Sequence, residues 1–234
     1  MLFFLGSIKI ISKTKMKNIG VILCGCGSMD GSEIHEATFA LAAIDELSAN
    51  YKCFALDKPQ ARVINFLTGE AVDEKRNQLQ EAARIARGQI QNISEIKVQE
   101  LNALILPGGF GTAFNLCNFA TEGAKAQVEP EIAEIIKAFY KAQKPIGAIC
   151  IAPALLALVL GNDINPTLTA GNAEDPAGRI FTELGCNVVP CETTDCVIDE
   201  KNKIVTTPAY MNAKCISDTR KGIYKLVENV LRIS

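Results

Sequence analysis

The chain alternates short apolar runs with longer segments of mixed polarity, a pattern typical of repeated strand–helix units. Continuous apolar runs predict strands that are buried on both faces of a sheet. Segments in which apolar positions recur every three or four residues predict amphipathic helices. The clearest strand predictions cover residues 19–24, 52–57, 103–106 and 145–149. Such units favour an α/β protein with a mainly parallel sheet and helices on both sides.

Residues 58–91 interrupt this rhythm with a proline, a glycine turn and a charged helix predicted over residues 72–88. We interpret them as a helical insertion within a single domain that spans residues 16–234. Our hypothesis is that this insertion forms a lid over the active site, with Arg76 or Asn77 facing the pocket. A solvated charged helix is the alternative.

Residues 1–15 begin with apolar side chains and contain lysines but no acidic residue. A secretory signal would carry its positive charge ahead of the apolar stretch. We therefore interpret this segment as a dispensable N-terminal extension, with a weak organellar address as the alternative.

The composition argues against several classes of partner. Apolar residues make up 48% of the chain and charged residues 21%, which is enough apolar material for a buried core. Lys and Arg number 24 against 26 Asp and Glu, and no basic run carries interleaved aromatic residues, so we expect no nucleic-acid partner. No apolar run approaches the ~20 residues that a membrane-spanning helix needs, so we expect no membrane partner either.

The cysteine and histidine contents bear on compartment and metal binding. Nine cysteines, an odd number scattered through apolar segments, favour reduced thiols over a disulfide framework, and we expect a cytoplasmic protein. The chain contains no CxxC pair and only one histidine. Because structural and catalytic zinc sites usually need such ligands, we expect no metal site.

Cys150 is the strongest candidate for a catalytic residue. It stands where the predicted strand 145–149 turns into a predicted helix. Unpaired backbone amides at the start of a helix stabilise a thiolate, so we expect the pKa of Cys150 to be lowered. The alternative is a small buried thiol, which is how we interpret the other eight cysteines.

The Pro107-Gly-Gly-Phe-Gly111 loop follows another predicted strand. Glycines such as Gly108 and Gly109 allow the backbone to approach a ligand closely. Beside a nucleophile, the amides of Gly109 and Ile151 are candidates for an oxyanion hole, and a tight turn is the alternative. The loop does not match the GxGxxG pattern of a dinucleotide-binding fold.

Glu33 and Glu36 lie one helical turn apart and share a helix face. One of them is a candidate to stay protonated and donate a hydrogen bond to the Cys150 thiolate, which requires a raised pKa for that carboxyl group. The alternative is that both interact only with the helix dipole. His35 lies between them in sequence and points elsewhere, so we favour a packed or solvated imidazole.

The glycine loop, together with Pro145-Ile-Gly-Ala-Ile-Cys-Ile-Ala-Pro153, resembles the PfpI/ThiJ superfamily of class I amidotransferase-like proteins. Further motifs resemble its ElbB branch, which is labelled "enhancing lycopene biosynthesis" and described as glyoxalase-like. The resemblance covers roughly residues 16–232. These further motifs are Gly25-Cys-Gly-x-x-Asp-Gly-Ser-Glu-Ile-His-Glu36, Thr68-Gly-Glu-Ala71, Arg76-Asn77, Glu81-Ala-Ala-Arg-Ile-Ala-Arg-Gly88, Asn118-Phe119 and Val205-Thr-Thr-Pro-Ala-Tyr-Met211.

The resemblance implies a flavodoxin-like three-layer sandwich with a nucleophile elbow at Cys150 and a buried glutamate partner. Glu36 matches the family motif without gaps, and Glu33 stays open as the alternative. The resemblance also implies a homodimer that needs no metal or organic cofactor. The further candidates for pocket residues are His35, Arg76, Asn77 and Asn118.

On these grounds we expect a cofactor-independent glyoxalase, a lyase that converts glyoxal, and in second place methylglyoxal, to the 2-hydroxy acid. Ile151 occupies the position where many active superfamily members carry histidine, so we expect modest turnover. Glutamine amidotransferases add a distant histidine as general base to the nucleophilic cysteine. This chain has no histidine besides His35, so that pair cannot be built. The alternatives are a non-enzymatic sensor of oxidants or electrophiles and an accessory protein of isoprenoid metabolism, the latter suggested by the family label alone.

Overall fold

A computed structural model describes residues 16–234 of the chain, so the interpretation of residues 1–15 lies outside the described residues. Within this part, no helix is long and apolar enough to cross a membrane. The described residues form nine strands, which are β1 (Asn18–Leu23), β2 (Asn50–Ala55), β3 (Ile90–Asn92), β4 (Ala103–Leu106), β5 (Ile146–Ile149), β6 (Thr167–Leu168), β7 (Asn187–Val188), β8 (Val197–Asp199) and β9 (Ile204–Thr207). The same part of the chain forms eight α-helices, which are α1 (Ile34–Glu46), α2 (Gln78–Ile85), α3 (Phe110–Asn115), α4 (Phe119–Glu122), α5 (Pro130–Lys141), α6 (Pro153–Ile164), α7 (Pro176–Glu183) and α8 (Ile216–Ile233).

Seven strands form the central sheet in the order β3-β2-β1-β4-β5-β9-β8. Every neighbouring pair is parallel except β8 and β9, which form an antiparallel edge. Strands β6 and β7 form a separate parallel pair. The predicted mainly parallel α/β architecture is confirmed.

Two hydrophobic clusters cover the two faces of this sheet. Successive residues of β1 illustrate the division, since Val21 packs with α1 and α8 on one face and Ile22 packs with α5 and α6 on the other. Strands β4 and β5 are buried along their whole length. This explains why their sequences are continuous apolar runs, and it gives the three layers expected of a flavodoxin-like sandwich.

The segment 58–91 differs from its prediction. Its helix, α2, covers only Gln78–Ile85, whereas residues 72–77 are not helical. The physical reason is a long-range pairing: Pro59 and Asn77 form an antiparallel bridge, and the backbone amide of Gln78 donates to the Lys58 carbonyl oxygen at 2.9 Å. The end of the segment enters the central sheet as β3.

Candidate active site

Three chain segments meet at the carboxyl ends of neighbouring strands. The loop after β1 leads into α1, the glycine loop follows β4, and Cys150 follows β5. Because β1, β4 and β5 are adjacent and parallel, their carboxyl ends lie side by side. This edge is where open α/β sheets bind their ligands.

Cys150 occupies a sharp turn between β5 and α6. Its backbone has a φ angle of +59°, in the left-handed region that favours glycine. A residue other than glycine held in this region costs ~1–3 kcal/mol, which the surrounding structure must offset. The backbone amide of Cys150 donates to the Thr207 carbonyl oxygen at 2.9 Å, which ties the turn to β9. The turn leaves the thiol half-buried in a pocket.

Glu36 is the carboxyl group that contacts this thiol. It lies in the first turn of α1 and is completely buried. Its Oε2 accepts a hydrogen bond from the Gly108 amide at 3.0 Å, and its Oε1 accepts one from the Tyr210 amide at 3.4 Å. Burial, and secondly the charge of Glu33, raise the pKa of Glu36 to about 8, although its hydrogen bond with Cys150 and the two amides act in the opposite direction. Glu36 is therefore mostly protonated at neutral pH.

The pKa of the Cys150 thiol is raised above its ordinary value, so the expectation of a lowered pKa is wrong. Burial is the main cause, followed by the charge of Glu36 and the hydrogen bond to it. The amides of Gly109 and Ile151 contact the thiol and act in the opposite direction, as expected of a helix N-terminus, but they do not outweigh desolvation.

Glu33 lies beside this pair and has a different environment. It caps α1, where its Oε2 accepts a hydrogen bond from the Glu36 amide at 2.7 Å. Its backbone amide donates to the Gly108 carbonyl oxygen at 2.9 Å, and its side chain lines the pocket. The structure thus brings Glu36 into contact with Cys150 and leaves Glu33 in the pocket lining.

Glycine is required at Gly108 and Gly109 because neighbouring atoms at the bottom of the pocket lie too close to leave room for a side chain. A Cβ atom on Gly108 would lie 2.6 Å from the Cβ of Cys150 and 2.7 Å from Oε2 of Glu36. Gly109 has a φ angle of +97°, and a Cβ atom there would lie 2.4 Å from the Glu33 amide nitrogen. A side chain at either position would push apart the groups that meet here.

The pocket that contains Cys150 has a volume of about 310 Å³. Much of its lining is apolar, and we call these four residues the pocket wall: Phe110, Ile151, Tyr210 and Met211. The remaining lining residues are Ser28, Glu33, Gly109 and Cys150.

Sequence reasoning missed Ser28 and three of the four wall residues, Phe110, Tyr210 and Met211, as site residues. Tyr210 and Met211 belong to a short 3₁₀-helix that directly follows β9. Since β9 is the neighbour of β5, this segment also lies at the ligand-binding edge of the sheet, a position that only the strand order reveals.

His35 does not line the pocket but contacts its wall. Its exposed imidazole forms a 2.7 Å hydrogen bond through Nδ1 with the hydroxyl group of Tyr210. Burial and the charge of Glu33 raise the pKa of Tyr210. The only imidazole of the chain thus binds a wall residue and is not among the residues that line the pocket.

Arg76, Asn77 and Asn118 lie away from the pocket, which corrects the expectation that they face it. Arg76 pairs with Glu74 at 2.8 Å. Asn77 caps α2 by accepting from the Gln80 amide, and the Oδ1 atom of Asn118 accepts a hydrogen bond from the Gln127 amide at 2.6 Å.

The segment 58–91 supports the loop after β1 instead of covering Cys150. Gln60 donates to the Asp30 carbonyl oxygen at 2.9 Å, and the Ile64 amide donates to the Asp30 carboxylate at 2.8 Å. No residue of this segment lines the pocket. Within residues 16–234, no group of three or more His, Cys, Asp or Glu side chains is arranged to hold a metal ion.

Two curated proteins resemble this chain along most of its length. A rat (Rattus norvegicus) protein named "ES1 protein homolog, mitochondrial" is 38% identical over 225 residues, which cover 92% of this chain and 84% of that protein. A human (Homo sapiens) protein named "Glutamine amidotransferase-like class 1 domain-containing protein 3, mitochondrial" is 37% identical over 225 residues, covering 92% and 83% respectively.

Both names contain the word mitochondrial, so the expectation of a cytoplasmic protein is wrong. That expectation rested on the cysteine content. All nine cysteines are free, but free cysteines indicate only that disulfides do not hold the fold. They do not distinguish one reducing compartment from another.

A crystal structure and a family pattern agree with these relatives. The "isoprenoid biosynthesis protein with amidotransferase-like domain" from Ehrlichia chaffeensis is 36% identical and superposes with a TM-score of 0.88, covering 93% of this chain and 99% of that one. The DJ-1/PfpI family pattern matches residues 89–162, which include the glycine loop and Cys150. The expected superfamily is confirmed, whereas the ElbB branch stays a prediction. The chain belongs to the DJ-1/PfpI family.

Proposed function

We propose that this protein is a cofactor-independent glyoxalase that converts a 2-oxoaldehyde and water into a 2-hydroxy acid at Cys150. The observation that carries the proposal is the contact between the Cys150 thiol and the buried Glu36 carboxyl group, whose pKa is about 8, beside the amides of Gly109 and Ile151. This arrangement supplies a nucleophile, a proton acceptor and two donors for a developing oxyanion.

The first step is addition of sulfur to the aldehyde carbon. With a pKa of about 8, Glu36 is ionised in about a tenth of the molecules at pH 7. In this fraction the carboxylate accepts the thiol proton while the new carbon–sulfur bond forms. The amides of Gly109 and Ile151 donate to the aldehyde oxygen as it becomes an alkoxide, and Glu36 then returns the proton to that oxygen.

The second step moves a proton between the two carbons of the substrate. A carboxylate removes the proton from C1 and a proton is delivered to C2, while the proton of the C1 hydroxyl group passes to the oxygen on C2, so that C1 becomes a thioester carbonyl and C2 an alcohol. Glu33 and Glu36 are the candidates for this base. C1 is oxidised and C2 is reduced, so no external oxidant or reductant takes part. The resulting thioester is hydrolysed by water, which releases the acid and restores the thiol.

The position of His35 argues against glutamine amidotransfer, despite the name of the human relative. A Cys–His pair requires an imidazole within hydrogen-bonding reach of the thiol. The imidazole of His35 instead binds the Tyr210 hydroxyl group at 2.7 Å, at an exposed position. It is the only histidine in the chain.

The electrostatics of Cys150 also disfavour a sensor of oxidants. Peroxide reacts with the thiolate, and the raised pKa of Cys150 leaves little thiolate at rest. A glyoxalase avoids this difficulty because Glu36 removes the thiol proton during the attack on the substrate.

The test is production of glycolate from glyoxal by purified full-length protein. We expect Cys150→Ala to lower kcat/KM by more than ~10³-fold and Glu36→Gln by ~10²–10⁴-fold, because each removes a group that takes part in the bond changes. Cys196→Ala is a matched control, since this half-buried thiol lies near the sheet edge and contacts Asn229. Equal rates for wild type and Cys150→Ala would remove Cys150 from the reaction, and absence of product from wild type would refute the proposal.

We also propose a mitochondrial location and a homodimer. The names of the rat and human relatives support the location, and the resemblance described from the sequence supports the dimer. Fluorescence microscopy of the tagged full-length chain tests the first, and light scattering of the purified protein tests the second.

A further inference from the structure

The pocket around Cys150 is larger than glyoxal requires. Its volume is about 310 Å³, whereas one water molecule occupies ~30 Å³ in the liquid. Glyoxal is the smallest dialdehyde and would leave most of this space to water. The pocket therefore has room for a substituent on the ketone carbon of a 2-oxoaldehyde.

The pocket wall offers apolar surface to such a substituent. Ile151 directly follows the nucleophile, Phe110 belongs to the glycine loop, and Met211 ends the 3₁₀-helix after β9. Phe110 is 55% exposed, so a ligand in the pocket would cover apolar surface that faces water. Burial of a methylene group contributes about fourfold to affinity, so an apolar substituent gains substantially from this wall.

The charges around the pocket disfavour an anionic substrate. Among residues 16–234, none of those that line the pocket is a lysine or an arginine. Glu33 contributes a carboxyl group to the lining. A carboxylate or phosphate group on the substrate would lose its hydration here and meet no cation in return.

From these three observations we propose that the preferred substrate is an uncharged 2-oxoaldehyde with an apolar substituent, of about the size of phenylglyoxal, held by Phe110, Ile151 and Met211. This inference rests on the glyoxalase function proposed above. The reaction keeps the same balance: R–CO–CHO and water give R–CH(OH)–COOH, with C1 oxidised, C2 reduced and the thiol restored.

The experiment compares kcat/KM of the wild-type chain for glyoxal, methylglyoxal, phenylglyoxal and 4-carboxyphenylglyoxal, measured as initial rates. We expect phenylglyoxal to exceed glyoxal by at least ~10-fold, because its ring buries apolar surface against the wall. We expect the carboxylated analogue to fall below phenylglyoxal by at least ~10-fold, because its charge is left unpaired.

Two variants of Met211 separate recognition from the intrinsic reactivity of each aldehyde. Met211→Ala should lower the ratio of kcat/KM for phenylglyoxal to that for glyoxal by about fivefold to tenfold. Met211→Lys should raise the ratio for the carboxylated analogue to phenylglyoxal by at least ~10-fold, because it adds a cation to the lining. Met29→Ala is the matched control: this half-buried methionine is not among the lining residues and should leave both ratios unchanged.

The outcomes distinguish the two proposals. Cys150-dependent turnover of glyoxal with no preference for phenylglyoxal, or ratios unaffected by both Met211 variants, would overturn the substrate class and leave the glyoxalase function standing. Absence of turnover for all four aldehydes would overturn the glyoxalase function itself.

Discussion

The bottom and the wall of the pocket are built in different ways. At the bottom, Cys150, Glu36 and Gly108 are fixed by backbone hydrogen bonds and by approaches too close for one additional carbon atom. The wall presents exposed or partly exposed side chains, such as those of Phe110 and Met211, to the pocket. The bottom therefore determines whether sulfur can attack, whereas the wall determines which substrate it meets. Substitutions at the bottom should therefore slow or abolish the reaction itself. Substitutions at the wall should change only the ratio of kcat/KM between substrates.

The largest effect that we expect at the bottom is on stability, through the buried carboxyl group of Glu36. Its pKa rises from 4.5 to about 8 on folding. Between these values the folded state binds one proton more than the unfolded state, so the free energy of unfolding decreases as the pH rises through this window. The difference between the two ends of the window is on the order of 4 kcal/mol.

Urea unfolding at pH 5, 6.5 and 8 measures this effect by comparing wild type with Glu36→Gln. Glutamine keeps the shape but cannot ionise, so the variant should lack this part of the pH dependence and gain stability relative to wild type as the pH approaches 8. Parallel curves for the two proteins would show that Glu36 is already ionised in the folded protein at low pH.

A smaller effect is expected from Gly108→Ala. The added methyl group would overlap the Cβ of Cys150 and the carboxyl group of Glu36, so one of them must move. A displacement of about 1 Å at a reacting group costs ~10²-fold in rate. The measurement is kcat/KM for glyoxal, with circular dichroism to confirm that the variant is folded.

Gly69→Ala serves as the control for this substitution. It lies in a turn with no atom within 4 Å of the added carbon, although its φ angle of +76° makes alanine strained there. It should lower stability by about 1 kcal/mol and leave kcat/KM unchanged. If Gly108→Ala were as active as Gly69→Ala, the tight contact at the bottom of the pocket would not matter for catalysis.

A still smaller effect is expected from pH on the rate. If Glu36 accepts the thiol proton, the enzyme needs it ionised, and kcat/KM should rise about tenfold between pH 6 and 7 and level off above about pH 8. Hydration of the aldehyde is a property of the substrate, so it affects wild type and Cys196→Ala equally. A profile that falls with increasing pH would instead assign Glu36 the role of an acid that must stay protonated.

The contrast between bottom and wall also explains what the sequence predicts well. The apolar runs predict β4 and β5, and the residues that follow these strands include Cys150 and the glycine loop. These are local signals. The choice between Glu33 and Glu36 is not local, because the two residues lie only three positions apart in sequence, and the depth of each side chain separates them.

The wrong predictions have a common cause, since each depends on contacts between segments that are distant in sequence. The pKa of Cys150 depends on desolvation, which requires the assembled layers, whereas its sequence shows only the amides of a helix N-terminus. Arg76 and Asn77 lie away from the pocket because the segment before α2 pairs with itself and binds the loop after β1. Tyr210 and Met211 reach the pocket because β9 lies beside β5, and that order of strands is not written in any local pattern.

The smallest effect that we expect concerns His35, which supports the wall from outside. Its hydrogen bond to the Tyr210 hydroxyl group is exposed, so its loss should cost only about twofold to threefold in kcat/KM for phenylglyoxal. Tyr210→Phe keeps the ring in the wall and removes the same bond. If His35 acts only through Tyr210, the double variant His35→Gln, Tyr210→Phe should be no slower than Tyr210→Phe alone. Additive losses would mean that the imidazole reaches the substrate by another route, and the separation between a reactive bottom and a passive wall would no longer hold.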